Sequence, residues 1–184
     1  GIDAEYYGIA VDTYEDIKNA FNSMMAKNDV VIITGGVSMG DYDYVAPILK
    51  ESDLNVWFDS IAAQPGRPLV YAENGNKFCF GMPGNPVSGL VIFETIVKPF
   101  LFKIMGHDFK PNVFKLKLDT KISRKKAKRK SYYPVKLNHD NSVTAIEYHG
   151  SAHLNSYVQA WGVIFMEQGV YEIEKGSLID VRQI

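Results

Sequence analysis

The chain has 184 residues, enough for one large domain or two small ones, and 46 % of them are apolar, so it can bury a core and is not a disordered composition. With 20 basic against 21 acidic side chains the net charge is −1, which gives no global field favouring nucleic acid or an anionic membrane. The one cysteine, Cys79 between Phe78 and Phe80, excludes an internal disulfide and reads as a small buried hydrophobe. That cysteine usage and the lack of a visible signal peptide lead us to expect a cytoplasmic protein. The apolar stretch Leu90–Met105 is too short to span a bilayer and is interrupted by Glu94, Lys98, Pro99 and Lys103. The chain opens on Gly1 rather than Met, which reads as a fragment or a processed product.

In chain order, Tyr6–Val11 suits a short strand. Thr13 then fits a helix N-cap with Glu15 and Asp16 in the first turn, and Ile17, Ala20, Phe21, Met24 and Met25 recur at helical spacing up to Lys27. Asp29–Thr34 is a near-continuous β-branched run, as in a strand buried on both faces, closed by Gly35-Gly36. Asp43–Glu51 predicts a helix and Val56–Ala62 a strand. Leu69–Ala72 and Lys77–Gly81 flank Glu73-Asn74-Gly75-Asn76, a hairpin signal. Pro86–Met105 predicts a long helix with Asn85 as N-cap, Pro86 in first position, Gly106 past its end and a kink at Pro99. This alternation predicts an α/β domain over residues 1–108 with a mainly parallel sheet and flanking helices. After Gly106 the texture changes. Phe114–Leu118, Tyr132–Leu137, Val143–Glu147, Gly162–Glu167 and Ser177–Arg182 are short, mostly alternating runs, which predict a small all-β barrel over residues 109–184.

Several segments carry chemistry. Gly35, Gly36, Ser38 and Gly40 follow a buried strand, where glycines let backbone N–H groups approach an anion; the alternative is a tight turn that needs glycine for geometry alone. Asp41 and Asp43 follow at once, and carboxylates beside a phosphate turn can hold Mg²⁺, although Asp43 also suits a helix cap. Asp12 stands at another strand end of the same inferred sheet and so could face the same crevice, although its spacing suits a helix-start residue better. Gln64-Pro65-Gly66-Arg67-Pro68 fixes an arginine whose fork matches a tetrahedral oxoanion. Pro83, Gly84, Asn85 and Pro86 open the long helix with Ser88 in its first turn, either a second anion-binding start or a plain cap. Lys121–Ser131 (KISRKKAKRKS) is read as a solvated hairpin loop, since no aromatic or groove-reading element accompanies it. The four histidines form no zinc pattern.

TGGVSMGDYD, QPGRP and GMPGNPVSG in this order resemble the molybdopterin molybdenumtransferase family, bacterial MoeA and the E domain of gephyrin. Gly150-Ser-Ala-His-Leu154 and Glu172-Ile-Glu-Lys-Gly176 are similar to that family's C-terminal β-barrel domain. The resemblance implies Mg²⁺-dependent insertion of molybdate into adenylylated molybdopterin with release of AMP. It implies catalytic and metal roles for Asp43 and Asp12, with Asp41 beside them. It assigns Gly35, Gly36, Ser38, Gly40, Pro83, Gly84, Asn85 and Pro86 to the pterin-phosphate site, and Arg67, Ser88, Ser151 and Arg129 to molybdate. A molybdopterin adenylyltransferase partner and a homodimeric parent are implied as well, with no nucleic acid or membrane partner.

The sequence departs from the family in two ways. Gln64 stands where a lysine is frequent, which removes one cation from the oxoanion pocket. The TGDEL-like first strand–helix unit and two upstream domains are not in this chain, so the fragment alone is expected to be inactive. A molybdopterin adenylyltransferase is the nearest alternative enzyme, but its loop reads TTGGTG and it has no second β domain. A gephyrin-type scaffold is the non-enzymatic alternative, and no peptide groove is visible in the sequence.

Overall fold

A computed structural model describes residues 1–37, 43–146 and 157–184. By contact the chain divides into two compact units, one of residues 1–60 and 68–84, the other of residues 61–67 and 85–184.

In the first unit α1 (Tyr14–Lys27) starts as expected: Thr13 Oγ1 accepts from the Asp16 N–H at 3.2 Å. The strand expected at Tyr6–Val11 does not form. Gly8 at φ +89° breaks the extended run, and Tyr6 and Ile9 point to solvent. Then come β1 (Val30–Thr34), α2 (Val45–Glu51) and β2 (Asn55–Ser60). After the segment containing β3 (Ala63–Gln64), which belongs to the second unit, β4 (Pro68–Glu73) and β5 (Phe78–Met82) return to the sheet. Its strand order is β1-β5-β4-β2. Only β1 and β5 run parallel; β5–β4 and β4–β2 are antiparallel, so the sheet is mixed rather than mainly parallel. The reason is local. A tight turn at Asn74-Gly75, with Gly75 at φ +90° and Asn74 Oδ1 accepting from the Lys77 N–H at 3.1 Å, can only return the chain antiparallel. Phe21, Val31, Val45, Leu49, Val70 and Cys79 form the core beneath α1 and α2.

The second unit begins its main run with α3 (Pro86–Ile92), which continues through a π-helical turn (Phe93–Val97) into α4 (Lys98–Ile104). Asn85 Oδ1 accepts from the Ser88 N–H at 3.1 Å, and Pro86 occupies the first turn, as the sequence predicts. The widened turn lies just before Pro99, which has no N–H for the carbonyl four residues back; the helix accommodates it there. The β domain contains β6 (Val113–Leu118), β7 (Ile122–Ser123), β8 (Lys130–Leu137), β9 (Ser142–Ala145), β10 (Gly162–Met166), β11 (Glu172–Ile173) and β12 (Leu178–Gln183). The sheet order β10-β12-β6-β9-β8, with β8 pairing back to β10, closes a five-stranded barrel. Leu118, Val135, Val143, Ile164, Met166 and Val181 fill it. The helix at 86–104 clusters with this barrel, whereas the sequence pattern places it before a boundary at residue 108. Its inward valines explain the clustering: Val87 and Val91 are buried against Tyr157 and Val163.

Candidate functional site

The carboxyl ends of β1 and β5 lie side by side because those strands are parallel neighbours in register, with Thr34 opposite Met82. In an open α/β sheet this is where ligands bind. Gly35 and Gly36 leave β1 at φ +92° and +65°, in the left-handed region that glycine enters without cost. The Gly35 N–H donates to the Met82 carbonyl at 2.9 Å, so the two turns are tied together. A Cβ on Gly84 would lie 3.1 Å from the Gly35 Cα: the backbones of the two motifs touch with no side chain between them.

The loop after Gly36 is anchored at both ends. Val37 and Val45 are buried, and a Cβ on Gly81 would lie 2.8 Å from Val37 Cγ1 and 3.2 Å from Val45 Cγ1. Gly81 is therefore the bare patch of β5 on which both anchors rest. The Val45 N–H donates to the Gly36 carbonyl at 3.1 Å. Of the expected ligands on this loop, Asp43 is described and half-buried just before α2, while Ser38, Gly40 and Asp41 lie outside the described residues. Asp12 is exposed two residues before α1. Carboxylate oxygens suit a hard cation such as Mg²⁺, but no group of three or more metal-ligating side chains occurs among the described residues.

In the second unit, segment 61–67 touches two other predicted elements. At its base the Ile61 N–H donates to the Arg67 carbonyl at 2.9 Å. Gly66, at φ +101°, presses on α3: a Cβ there would lie 2.7 Å from Ile92 Cγ1 and Cδ1 and 3.6 Å from the Ser88 carbonyl. On the other side β3 pairs parallel with the start of β8, Ala63 opposite Lys130 and Gln64 opposite Ser131, and the Lys130 N–H donates to the Ala62 carbonyl at 2.8 Å. The exposed Arg67, the first turn of α3 and the half-buried Arg129 are thus drawn to one segment. The Ser88 hydroxyl is buried and donates to Asn85 Oδ1 at 3.3 Å. Ser151 lies outside the described residues.

The basic run divides into structural and surface cations. Arg124 is a clamp. It donates to the carbonyls of Val170 at 2.7 Å and Arg129 at 2.6 Å, to the Ser131 hydroxyl at 2.6 Å, and to the Glu167 carbonyl. Lys121 pairs with Glu172 and Glu174, and Lys130 with Glu167. Sequence reading missed this division, because nothing local separates Arg124 from its basic neighbours; two of its acceptors, the carbonyls of Glu167 and Val170, lie more than forty residues along the chain. The packing role of Gly81 was also missed, although a glycine inside a β-branched and aromatic strand is itself a signal of close approach. Cys79 is a free, buried thiol, and burial pushes it up to about 12, which disfavours the thiolate.

Comparison with known proteins identifies the family. Residues 1–103 match the family model described as a probable molybdopterin binding domain, and residues 115–184 match the MoeA C-terminal region (domain IV). The molybdopterin molybdenumtransferase of Haemophilus influenzae is 29 % identical over 181 residues, covering 95 % of this chain and 44 % of that protein. The enzyme of the same name from Staphylococcus epidermidis is 30 % identical over 196 residues, covering 98 % and 44 %. A crystal structure of a molybdopterin biosynthesis MoeA protein from Pyrococcus horikosii superimposes with TM-score 0.79 at 28 % identity, over 96 % of this chain and 42 % of that one. A Pyrococcus furiosus molybdenum cofactor biosynthesis protein shares the fold at TM-score 0.78 and 22 % identity, over 97 % and 57 %. The chain therefore spans less than half the length of these molybdenumtransferases. With its glycine turn and its proline turn in backbone contact at the ends of two parallel strands, and a closed barrel following them, the chain belongs to the molybdopterin-binding domain family, in the MoeA branch that carries the C-terminal domain IV.

Proposed function

We propose that this chain serves molybdenum cofactor biosynthesis as the molybdopterin-binding and C-terminal part of a molybdenumtransferase, which inserts molybdate into adenylylated molybdopterin with release of AMP. The observation that carries the proposal is the contact of Gly35 with Gly84, which sets the glycine turn and the proline turn side by side with no side chain between them, the kind of backbone surface a phosphate can approach. In this reading Gly35, Gly36, Pro83, Gly84, Asn85 and Pro86 hold the pterin phosphate, with Ser38 and Gly40 completing the loop. Arg67, Arg129 and Ser151 meet the molybdate dianion, and Ser88 joins them by turning its hydroxyl from Asn85. Molybdopterin, molybdate and the adenylate are substrates. Asp12, Asp41 and Asp43 would hold Mg²⁺, which offsets the charge of the phosphoanhydride as AMP leaves. The residues of the chain itself bind and orient. The glycine turns present N–H groups at fixed positions, and the arginines stabilise negative charge without reorganising. A homodimeric parent and delivery by a molybdopterin adenylyltransferase belong to the same proposal.

The test is AMP release from adenylylated molybdopterin by the full-length protein. It should require both molybdate and Mg²⁺, and Asp43→Ala should lower it on the order of a hundredfold with the circular dichroism unchanged. Normal turnover by a folded Asp43→Ala protein sinks the assignment of that residue. Consumption of ATP to form the adenylate would instead identify an adenylyltransferase, and tight peptide binding with neither activity would identify a scaffold.

A further inference from the structure

Arg124 stands apart from the basic run it belongs to. Lys125, Lys126 and Lys128 are exposed, whereas the Arg124 guanidinium turns inward onto four acceptors. Three are the main-chain carbonyls of Arg129, Glu167 and Val170, and the fourth is the buried hydroxyl of Ser131. All four are neutral, so they fix the guanidinium without cancelling its charge. The Arg124 N–H donates in addition to the Tyr171 carbonyl at 2.9 Å, so its main chain and side chain are tied to the same segment after β10.

What Arg124 holds is the backbone of Arg129. The peptide unit between Arg129 and Lys130 is gripped at both ends: Arg124 Nη1 donates to its carbonyl at 2.6 Å, and its N–H donates to the Ala62 carbonyl at 2.8 Å. The peptide unit on the other side of Arg129 is held through the Lys128 carbonyl, which accepts from Gln168 Nε2 at 3.1 Å. Peptide units are planar, so fixing the two that flank a residue fixes its dihedrals and the direction in which its side chain leaves the main chain. The same bonds lead on to the other arginine. Ala62 follows Ile61, whose N–H closes the base of the Arg67 turn at 2.9 Å. Ser131, the second acceptor of Nη1, stands opposite Gln64 of that turn. A continuous series of hydrogen bonds therefore runs from Arg124 through the Arg129 peptide to the Arg67 turn.

We infer that Arg124 is a positioning residue for the oxoanion: it acts by holding the main chain of Arg129 in fixed relation to the Arg67 turn. The inference rests on the reading of Arg67 and Arg129 as molybdate ligands. An arginine whose backbone is already ordered meets the anion with little further loss of conformational freedom, which keeps the dianion's affinity high. Lysine at position 124 cannot do the same. Its ammonium has three donors on a flexible stem, against four acceptors spread from β8 to the segment after β10.

The test is steady-state AMP release by the full-length protein, with molybdate and adenylylated molybdopterin varied in turn. Arg124→Met should raise the KM for molybdate about five- to tenfold, most of one charge-assisted hydrogen bond, and leave kcat and the KM for the adenylate within about twofold. A merely structural role would reduce the amount of active enzyme, and so kcat, at an unchanged KM; that pattern overturns the inference. Arg124→Lys keeps the charge but loses the fork and should share the defect, whereas Lys125→Met should not. An original molybdate KM in Arg124→Lys, or an equal rise in Lys125→Met, would show that charge and not the hold on Arg129 matters. Arg129→Met separates this inference from the reading beneath it. If that variant keeps the original molybdate KM, the ligand reading fails and the inference with it. If it raises the KM while a folded Arg124→Met does not, the inference alone fails. The lysine variant carries the test should Arg124→Met not fold.

Discussion

Replacing Gly66 by alanine probes the contact that fixes the arginine-bearing turn on α3. The new Cβ has two costs. At φ +101° an L-residue is strained by about 1–2 kcal/mol. The methyl would also lie 2.7 Å from both Cγ1 and Cδ1 of Ile92, far inside the roughly 3.5–4.0 Å optimum for carbon pairs. Ile92 is fully buried and has nowhere to retreat, so overpacking adds about 1–3 kcal/mol. Gly66→Ala should therefore destabilise the chain by about 2–5 kcal/mol. A double-mutant cycle separates the two costs. Ile92→Ala alone should cost about 2–5 kcal/mol through its cavity. In the double variant the methyl introduced at position 66 enters that cavity while the backbone strain remains, so the pair should be more stable than the sum of singles by about 1–3 kcal/mol. Urea unfolding with an unchanged m-value is the assay. Additivity within about 0.5 kcal/mol would refute the packing argument.

Two further outcomes follow from the electrostatics. Cys79, its thiol pushed up to about 12 by burial, should resist a water-soluble disulfide reagent at pH 8 in the folded chain and react fully once urea unfolds it; rapid labelling of the native protein would contradict its placement. Hydrogen bonds from Tyr14 at 2.5 Å and Lys18 at 2.9 Å hold the Glu51 carboxyl below its ordinary value. A depressed carboxyl contributes stability above its unfolded pKa and loses it as pH falls through the folded one, so Glu51→Gln should flatten the acid limb of stability between roughly pH 5 and pH 3. An acid limb unchanged by the substitution would show that the cluster does not couple to folding.

What the sequence revealed and what it hid follow one physical line. Caps and turns are local, so Thr13, Asn85 with Pro86, and the Asn74-Gly75 hairpin all appear where their side chains require. Alternation is local too, and all five barrel strands stand within a few residues of the expected runs. Pairing is not local. The hairpin signal at residues 73–76 already required an antiparallel pair, but nothing nearby told which strand β2 would join, so the sheet was expected to be mainly parallel. The apolar look of Tyr6–Val11 suggested a strand, but the sheet provides it no neighbour. For the candidate site, motif order located the glycine and proline turns, whereas the approach of segment 61–67 to Ser88 and Lys130 depends on pairings more than sixty residues apart in the case of β8.

The closed barrel also obeys a parity rule. A circuit around any ring of strands must return with the direction it started from, so the number of antiparallel steps is even. Five strands cannot satisfy this with antiparallel pairs alone, and β6–β9 is the parallel step that restores the balance. With β9 seated between them, β6 and β8 are not neighbours, and the chain must step across it, about 10 Å at two strand spacings. Roughly three extended residues would reach that far. The chain has residues 119–129 for the step, and the surplus length is where the lysines collect and where Arg124 stitches the loop to its neighbours. The basic stretch that reads in sequence as a solvated hairpin loop is, in the fold, the slack of an obligatory detour.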